Sequence, residues 1–234
     1  MATPTLEKLF DAGAHLGHRK DKTDPKVRPF VYRVQNRICL INLDKTLEKL
    51  DEALAYVSEL SSKGKIILFV GTKSQIKSII EESAKSVEMP YVINRWIGGT
   101  LTNFENIKRK IKELKKLEKE MAEKKLEGLT KKEKLNINKK IEQENKLFAG
   151  IKEIERLPDA LLVFDTTKEK IAVAEAAKLK IPIIGINDMT YNEKAITKFV
   201  PMNDESRRAV ELVASSFVGA IKKEKNKEKN NDKN

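Results

Sequence analysis

A single cysteine, Cys39, stands in a chain of 234 residues, so no internal disulfide can form and no multi-cysteine zinc site can be built. Histidine is nearly as scarce: His15 and His18 are the only two, and no H-E-x-x-H pattern accompanies them. No apolar run nears the roughly 18 residues that a membrane span needs. The opening MATPTLEKLFDAGAH has neither the basic start nor the apolar centre of a signal peptide. A soluble, most simply cytosolic chain without a membrane partner is expected. The common catalytic signatures are missing as well. There is no G-x-G-x-x-G, no G-x-S-x-G and no G-x-x-x-x-G-K-[ST], which removes the usual dinucleotide, serine-nucleophile and phosphate-loop motifs.

Positive charge, by contrast, is plentiful. Lys and Arg number 47 against 35 Asp and Glu, a net charge of +12. Such an excess favours a polyanionic partner, although solvated charged faces produce the same balance. The length suits one full domain with a sizeable core and a small appendage.

Short β-branched runs alternate with helical patterns over most of the chain. KIILFV (Lys65–Val70), PYVIN (Pro90–Asn94), ALLVFD (Ala160–Asp165) and IPIIGIN (Ile181–Asn187) are continuous apolar segments, as strands covered on both faces require. RICLINL (Arg37–Leu43) is expected as a further strand and KFVP (Lys198–Pro201) as a short one. Asp44 is placed to cap a helix running through Leu60, with Leu47, Leu50, Leu54, Val57 and Leu60 on one face. Lys73–Val87 and Lys168–Leu179 read as shorter helices. Strand–helix–strand crossovers of this length make right-handed βαβ units, hence a doubly wound parallel α/β domain.

One segment breaks that rhythm. From Thr102 to Phe148 there is no strand pattern, while Phe104, Ile107, Ile111, Leu114, Leu117 and Met121 step by three or four. Leu135, Ile137, Ile141, Leu147, Phe148 and Ile151 resume the stripe after EGLT (Glu127–Thr130). Gly128 can end the first helix, and Thr130 with Glu133 matches a T-x-x-E capping box for a second. An inserted antiparallel helical hairpin over 102–149 follows, carrying 15 Lys and Arg against 9 Glu between Leu101 and Gly150. A solvated coiled coil would show the same pattern. The α/β domain then comprises 1–101 and 150–224, and the apolar-free tail 225–234 is expected to be disordered.

Two loops invite a nucleotide or phosphometabolite enzyme reading. FVGTKSQ puts Gly71–Lys73 between strand and helix, and RWIGGTLTNF carries Gly98–Gly99. The histidines offer half a metal site at most: His15 and His18 with Asp188 and Asp204 are the weak candidates, and packing beside Gly13 and Gly17 is the plain alternative. The N-terminal charge is more pointed. His18, Arg19, Lys20, Lys22, Lys26, Arg28, Arg33 and Arg37 fall in one stretch whose only acids are Asp21 and Asp24. Pro25 and Pro29 are expected to keep it extended, so that side chains track phosphates. Phe30, Tyr32 and Trp96 could stack on bases or pack inward, and packing is expected for Phe30 and Trp96. RNA fits better than DNA because no recognition helix or zinc finger is visible.

Several motifs in order add a resemblance: A-G-A-H-L-G-H from Ala12, D-P-K-V-R-P-F from Asp24, I-L-F-V-G-T-K from Ile67, R-W-I-G-G-T-L-T-N-F from Arg95, L-T-K-K-E from Leu129 and L-P-D-A-L-L-V-F-D from Leu157. Together they resemble the bacterial small-subunit ribosomal protein two family across about Leu6–Ile221. The chain departs from that pattern at Asp24, within Asn187–Thr190 and at Met202. The resemblance implies a flavodoxin-like sheet with a protruding coiled-coil hairpin, and a non-enzymatic structural role without a cofactor. It further implies binding of small-subunit ribosomal RNA between head and body. Neighbouring ribosomal proteins are implied partners, including the large mRNA-binding one, and no homo-oligomer is expected. The RNA-contacting set expected on these grounds adds Lys73, Arg95, Lys108, Arg109, Lys112, Lys131 and Lys132 to the N-terminal residues.

Overall fold

A computed structural model describes residues 3–123, 130–188 and 195–231. Gly128, Met189 and Thr190 lie outside the described residues. Five strands form a wholly parallel sheet: β4 (Ile67–Val70), β5 (Tyr91–Val92), β6 (Ala160–Phe164), β7 (Ile183–Asn187) and β8 (Lys198–Pro201), in the order β5-β4-β6-β7-β8. Numbered within the sheet, the order is that of flavodoxin-type doubly wound proteins, reversing direction between β4 and β6.

Both faces are covered, which is why the strands read as unbroken apolar runs. Ile67 and Phe69 turn to one face, against α2 (Leu43–Ser62), α3 (Lys77–Ser86) and α7 (Arg207–Asn231). Leu68 and Val70 turn to the other, against α4 (Phe104–Ala122), α5 (Lys131–Phe148) and α6 (Lys170–Lys178). Leu50 and Val57 of the anticipated α2 stripe are fully buried, and Leu47, Leu54 and Leu60 pack beside them.

The N-terminal third differs from expectation in three ways. Arg37–Leu43 does not join the parallel sheet. Its core, β3 (Ile38–Ile41), pairs antiparallel with β1 (Leu16–Arg19) and β2 (Val31–Gln35) in a separate sheet of order β1-β3-β2. The cause is the turn between β2 and β3. Asn36 and Arg37 both have positive φ (49° and 65°), the signature of a two-residue hairpin turn, and so short a link can join only antiparallel strands. Second, the basic stretch is folded rather than extended, with 3-10 turns at Lys20–Lys22 and Pro25–Phe30. The Asp24 carboxylate accepts a bond from the Lys26 N–H (2.9 Å), and Pro25 occupies the first position of the turn, where its fixed φ helps and its missing N–H is not needed. Third, α2 is capped by Asn42, whose side chain accepts from the N–H groups of Asp44 (3.0 Å) and Lys45 (3.4 Å). The short α1 (Leu6–Asp11) completes this unit.

α4 and α5 lie between β5 and β6, as the broken rhythm requires. Ile107, Ile111 and Leu114 are buried, as are Phe148 and Ile151, whereas Leu135 is about half exposed. The capping box is present: the Thr130 hydroxyl receives the Glu133 N–H (3.3 Å) and the Glu133 carboxylate accepts the Thr130 N–H (2.8 Å). Glu118 on α4 binds Asn145 of α5 (2.6 Å) and Lys152 (2.8 Å). At the other end, α7 runs on to Asn231, into a tail read from sequence as disordered. A helix already nucleated by its buried first turns extends cheaply through Lys and Glu.

Candidate nucleic-acid interface

In doubly wound sheets ligands usually bind where the strand order reverses, outside the carboxyl ends of the strands. Here that place is filled by the chain itself. Lys73, just beyond β4, sits with its Nζ 2.9 Å from Asp165 Oδ2 and 2.9 Å from Asp204 Oδ1, its side chain only 12% exposed. The Thr72 N–H donates to Glu169 Oε1 (3.1 Å), and the Thr72 hydroxyl donates to the same oxygen. The N–H groups of Thr167 and Lys168 both donate to Asp165 (3.0 and 2.9 Å). The backbone N–H groups of Thr72, Thr167 and Lys168 in this loop pair are thus held by carboxylates rather than left for a phosphate. Burial pushes the Asp204 carboxyl up to about 7, reinforced by the charges of Asp165 and Asp188. Burial likewise raises Glu169.

His18 closes the same corner from the N-terminal sheet. Its Nδ1 lies 2.6 Å from Asp188 Oδ2 at the end of β7, and its Nε2 3.5 Å from Glu205 Oε1. Burial alone would lower the imidazole, but the hydrogen bond and charge of Asp188, with Glu205 and Asp204, hold it above its ordinary value. Gly17 is needed here: a Cβ at that position would meet the Cys39 carbonyl at 2.7 Å. Asn203 ties down the same segment, its N–H donating to Ala14 O (2.9 Å) and its amide to Gly13 O (3.0 Å). His15 turns elsewhere and stacks on Phe10 at a centroid distance of 4.4 Å. The four candidate metal ligands therefore separate: His15 on Phe10, His18 with Asp188, Asp204 with Lys73. No group of three potential ligands converges among the described residues.

The R-W-I-G-G-T-L-T-N loop has an organiser that sequence reasoning missed. Glu175 on α6 accepts from the Trp96 indole N–H (3.2 Å) and from the backbone N–H groups of Gly99 (2.7 Å), Leu101 (2.9 Å) and Thr102 (3.1 Å). Burial pushes this carboxyl up, yet those bonds outweigh it and hold Glu175 below its usual range. Gly99 has φ +91°, a conformation that lets its N–H reach the carboxylate. A lone acid among the alanines of AVAEAAK was the available signal. Trp96 packs inward as expected, and Phe30 lies 5.4 Å from the Phe199 ring.

The remaining expected contacts lie on the exterior. Lys20, Lys22, Lys26, Arg28, Arg33 and Arg37 are exposed. Arg33 bonds Gln35 at 3.0 Å and the charge of Lys22 acts on the Asp21 carboxylate, while the side chains of the other four have no hydrogen-bond or ion-pair partner among the described residues. Arg19 pairs with Asp21 at 3.1 Å, both more than half exposed, so solvent screens the contact. Arg95 is exposed beside buried Trp96. Lys108, Arg109 and Lys112 line an open groove of about 680 Å³ along α4, shared with Lys115 and Lys152. Lys132 is exposed at the start of α5; the side chain of Lys131 lies outside the described residues.

A crevice occupied by its own carboxylates, with exposed cations on the N-terminal unit and along α4, describes a basic scaffold of α/β architecture. Comparison with known proteins agrees. The family model described as Ribosomal protein S2 matches residues 9–224. The chain is also similar to "Small ribosomal subunit protein uS2" of Coprothermobacter proteolyticus, 40% identical over 221 residues that cover 94% of this chain and 82% of that protein. The chain belongs to the ribosomal protein S2 family, whose members are structural proteins of the small ribosomal subunit and not enzymes. The phosphometabolite reading of Gly71–Lys73 and Gly98–Gly99 falls with that assignment, and the geometry explains why. Lys73 is neutralised, and Gly99 serves Glu175.

Proposed function

We propose that the chain binds small-subunit ribosomal RNA at the junction of head and body. It would support recruitment of the large mRNA-binding ribosomal protein there, acting as a single copy among other ribosomal proteins. Helices α4 and α5 would form an antiparallel coiled-coil hairpin whose basic groove adds to the RNA surface. The observation that carries this reading is the set of exposed cations without acidic partners on the N-terminal unit. Unpaired cations release condensed counterions from RNA on binding, whereas paired ones have little left to offer.

The test is the salt dependence of binding. Replacing Arg28, Arg33 and Arg37 together by Ala removes three exposed charges, with only the surface bond from Arg33 to Gln35 lost besides. Each lost phosphate contact is expected to reduce the log–log salt slope by about 0.7–0.9 in a filter-binding titration with small-subunit ribosomal RNA. An unchanged slope would mean that this face meets solvent in the particle.

A further inference from the structure

The N-terminal sheet carries a cavity that neither the fold nor the charge pattern requires. A pocket of about 600 Å³ opens between the 3-10 turns and one face of β2–β3. Its floor is apolar: Val31 and Val34 of β2, with Cys39 of β3. The register shows how these come together. Val34 pairs directly with Cys39, and Val31 with Ile41, but a bulge falls between Val31 and Arg33. In a regular strand, residues three apart point to opposite faces; one extra residue in the strand restores them to the same face. Tyr32 is that extra residue, and it stands 70% exposed. Val34 is left 45% exposed at the open side of the hollow.

The rim supplies the charge. Lys20 and Arg28 line the pocket, and their side chains have no hydrogen-bond or ion-pair partner among the described residues. The two acids of the wall are engaged locally, Asp21 with the Arg19 guanidinium (3.1 Å) and Asp24 with the Lys26 N–H (2.9 Å). A flat apolar floor under free cations suits an amphipathic anion with an aromatic face. An apolar peptide side chain would use the floor and leave both cations idle.

We propose that this pocket seats one unpaired base of a single-stranded RNA segment, with Lys20 and Arg28 on the flanking phosphates. The proposal rests on the RNA-binding reading above and sharpens it, because phosphate contact alone requires no pocket. Bases splayed from loops and held on apolar or aromatic surfaces are the usual currency of single-strand recognition.

The experiment compares two probes of equal charge on the full-length chain: an oligouridylate of about twelve nucleotides, and the same backbone made abasic, a length within the usual single-strand site size. The oligouridylate should bind roughly tenfold tighter, as one seated base provides. Val34→Met extends a non-aromatic chain into the hollow from an exposed position on an edge strand and should abolish that difference while leaving abasic binding as it was. Arg33→Gln, on the opposite face of β2, should weaken both probes alike. Equal melting temperatures would establish that the variants fold. Equal binding of the two probes by wild type, or a base preference that survives Val34→Met, would overturn the pocket. If wild type binds small-subunit ribosomal RNA yet shows no base preference, the pocket alone falls; if it binds no ribosomal RNA, the broader reading falls with it.

Discussion

The strand-end crevice and the N-terminal unit are both crowded with charge, and they differ in how that charge is spent. In the crevice, Lys73 is held between Asp165 and Asp204, and His18 by Asp188. On the N-terminal unit, Lys20, Lys26, Arg28 and Arg37 project into solvent without acidic partners among the described residues. Buried charges that satisfy one another brace a joint, whereas exposed ones without partners remain available to a ligand. Counting cations along the sequence places Lys73 in the second group, and its surroundings move it to the first.

The sharpest way to break that contrast is to remove the buried cation. We predict that Lys73→Met, by leaving two buried carboxylates unpaired, costs about 3–5 kcal/mol in urea-induced unfolding. A loss near zero would mean that the crevice is open to water and free for a ligand. Next in size is Glu175→Ala, which orphans the Trp96 indole and three backbone N–H groups. About 3 kcal/mol should be lost, since each buried unpaired donor costs about 1–3 kcal/mol. Amide exchange at Gly99, Leu101 and Thr102 should accelerate first, and unchanged protection there would show that the loop holds itself.

A third prediction concerns pH. Asp204 is an acid whose folded value, about 7, lies above its ordinary 3.8. The folded state keeps a proton that the unfolded chain has released, so this contribution is complete below about pH 4 and lost as pH rises to about 7. His18, also raised, contributes with the same sign, full below 6.5 and lost on passing its folded value. Wild type should therefore melt lower at about pH 8 than at about pH 5, and Asp204→Asn should flatten most of that slope. A slope of opposite sign would mean that the pair with Lys73 keeps Asp204 ionised throughout. The smallest effect belongs to the exposed unit. Arg37 holds a positive φ of 65° that glycine adopts without strain. Arg37→Gly should raise stability by up to about 1 kcal/mol while weakening RNA binding. Stability and affinity that fell together would place Arg37 among the structural charges.

Local features were legible in the sequence and distant ones were not. The parallel strands announced themselves because burial on both faces demands continuous runs such as ILFV and ALLVF. The Thr130–Glu133 box was readable because both partners sit within one turn. The prolines misled, since Pro25 is as suited to opening a tight turn as to keeping a chain extended, and the Asp24 cap decides which. RICLINL looked like the other apolar strands; its placement depended on two left-handed residues at Asn36 and Arg37, neither of them glycine. The joints were hidden for a different reason. Lys73 meets a residue 131 positions away and His18 one 170 positions away, separations that no local pattern encodes.

That long reach has a consequence for how the molecule is made. The N-terminal unit is fastened by residues translated much later: Ala12 O receives the Ser206 hydroxyl (2.6 Å), Gly13 O the Asn203 amide, and Thr46 donates to Pro201 O (2.6 Å). A nascent chain halted before Pro201 would carry the cationic surface with none of these fastenings. Closing such distant contacts is slow compared with forming hairpins and helices. The basic face would therefore emerge from synthesis early but be set in place only when the last helix docks. Docking of the 201–206 segment thus sets when the basic face acquires its final shape.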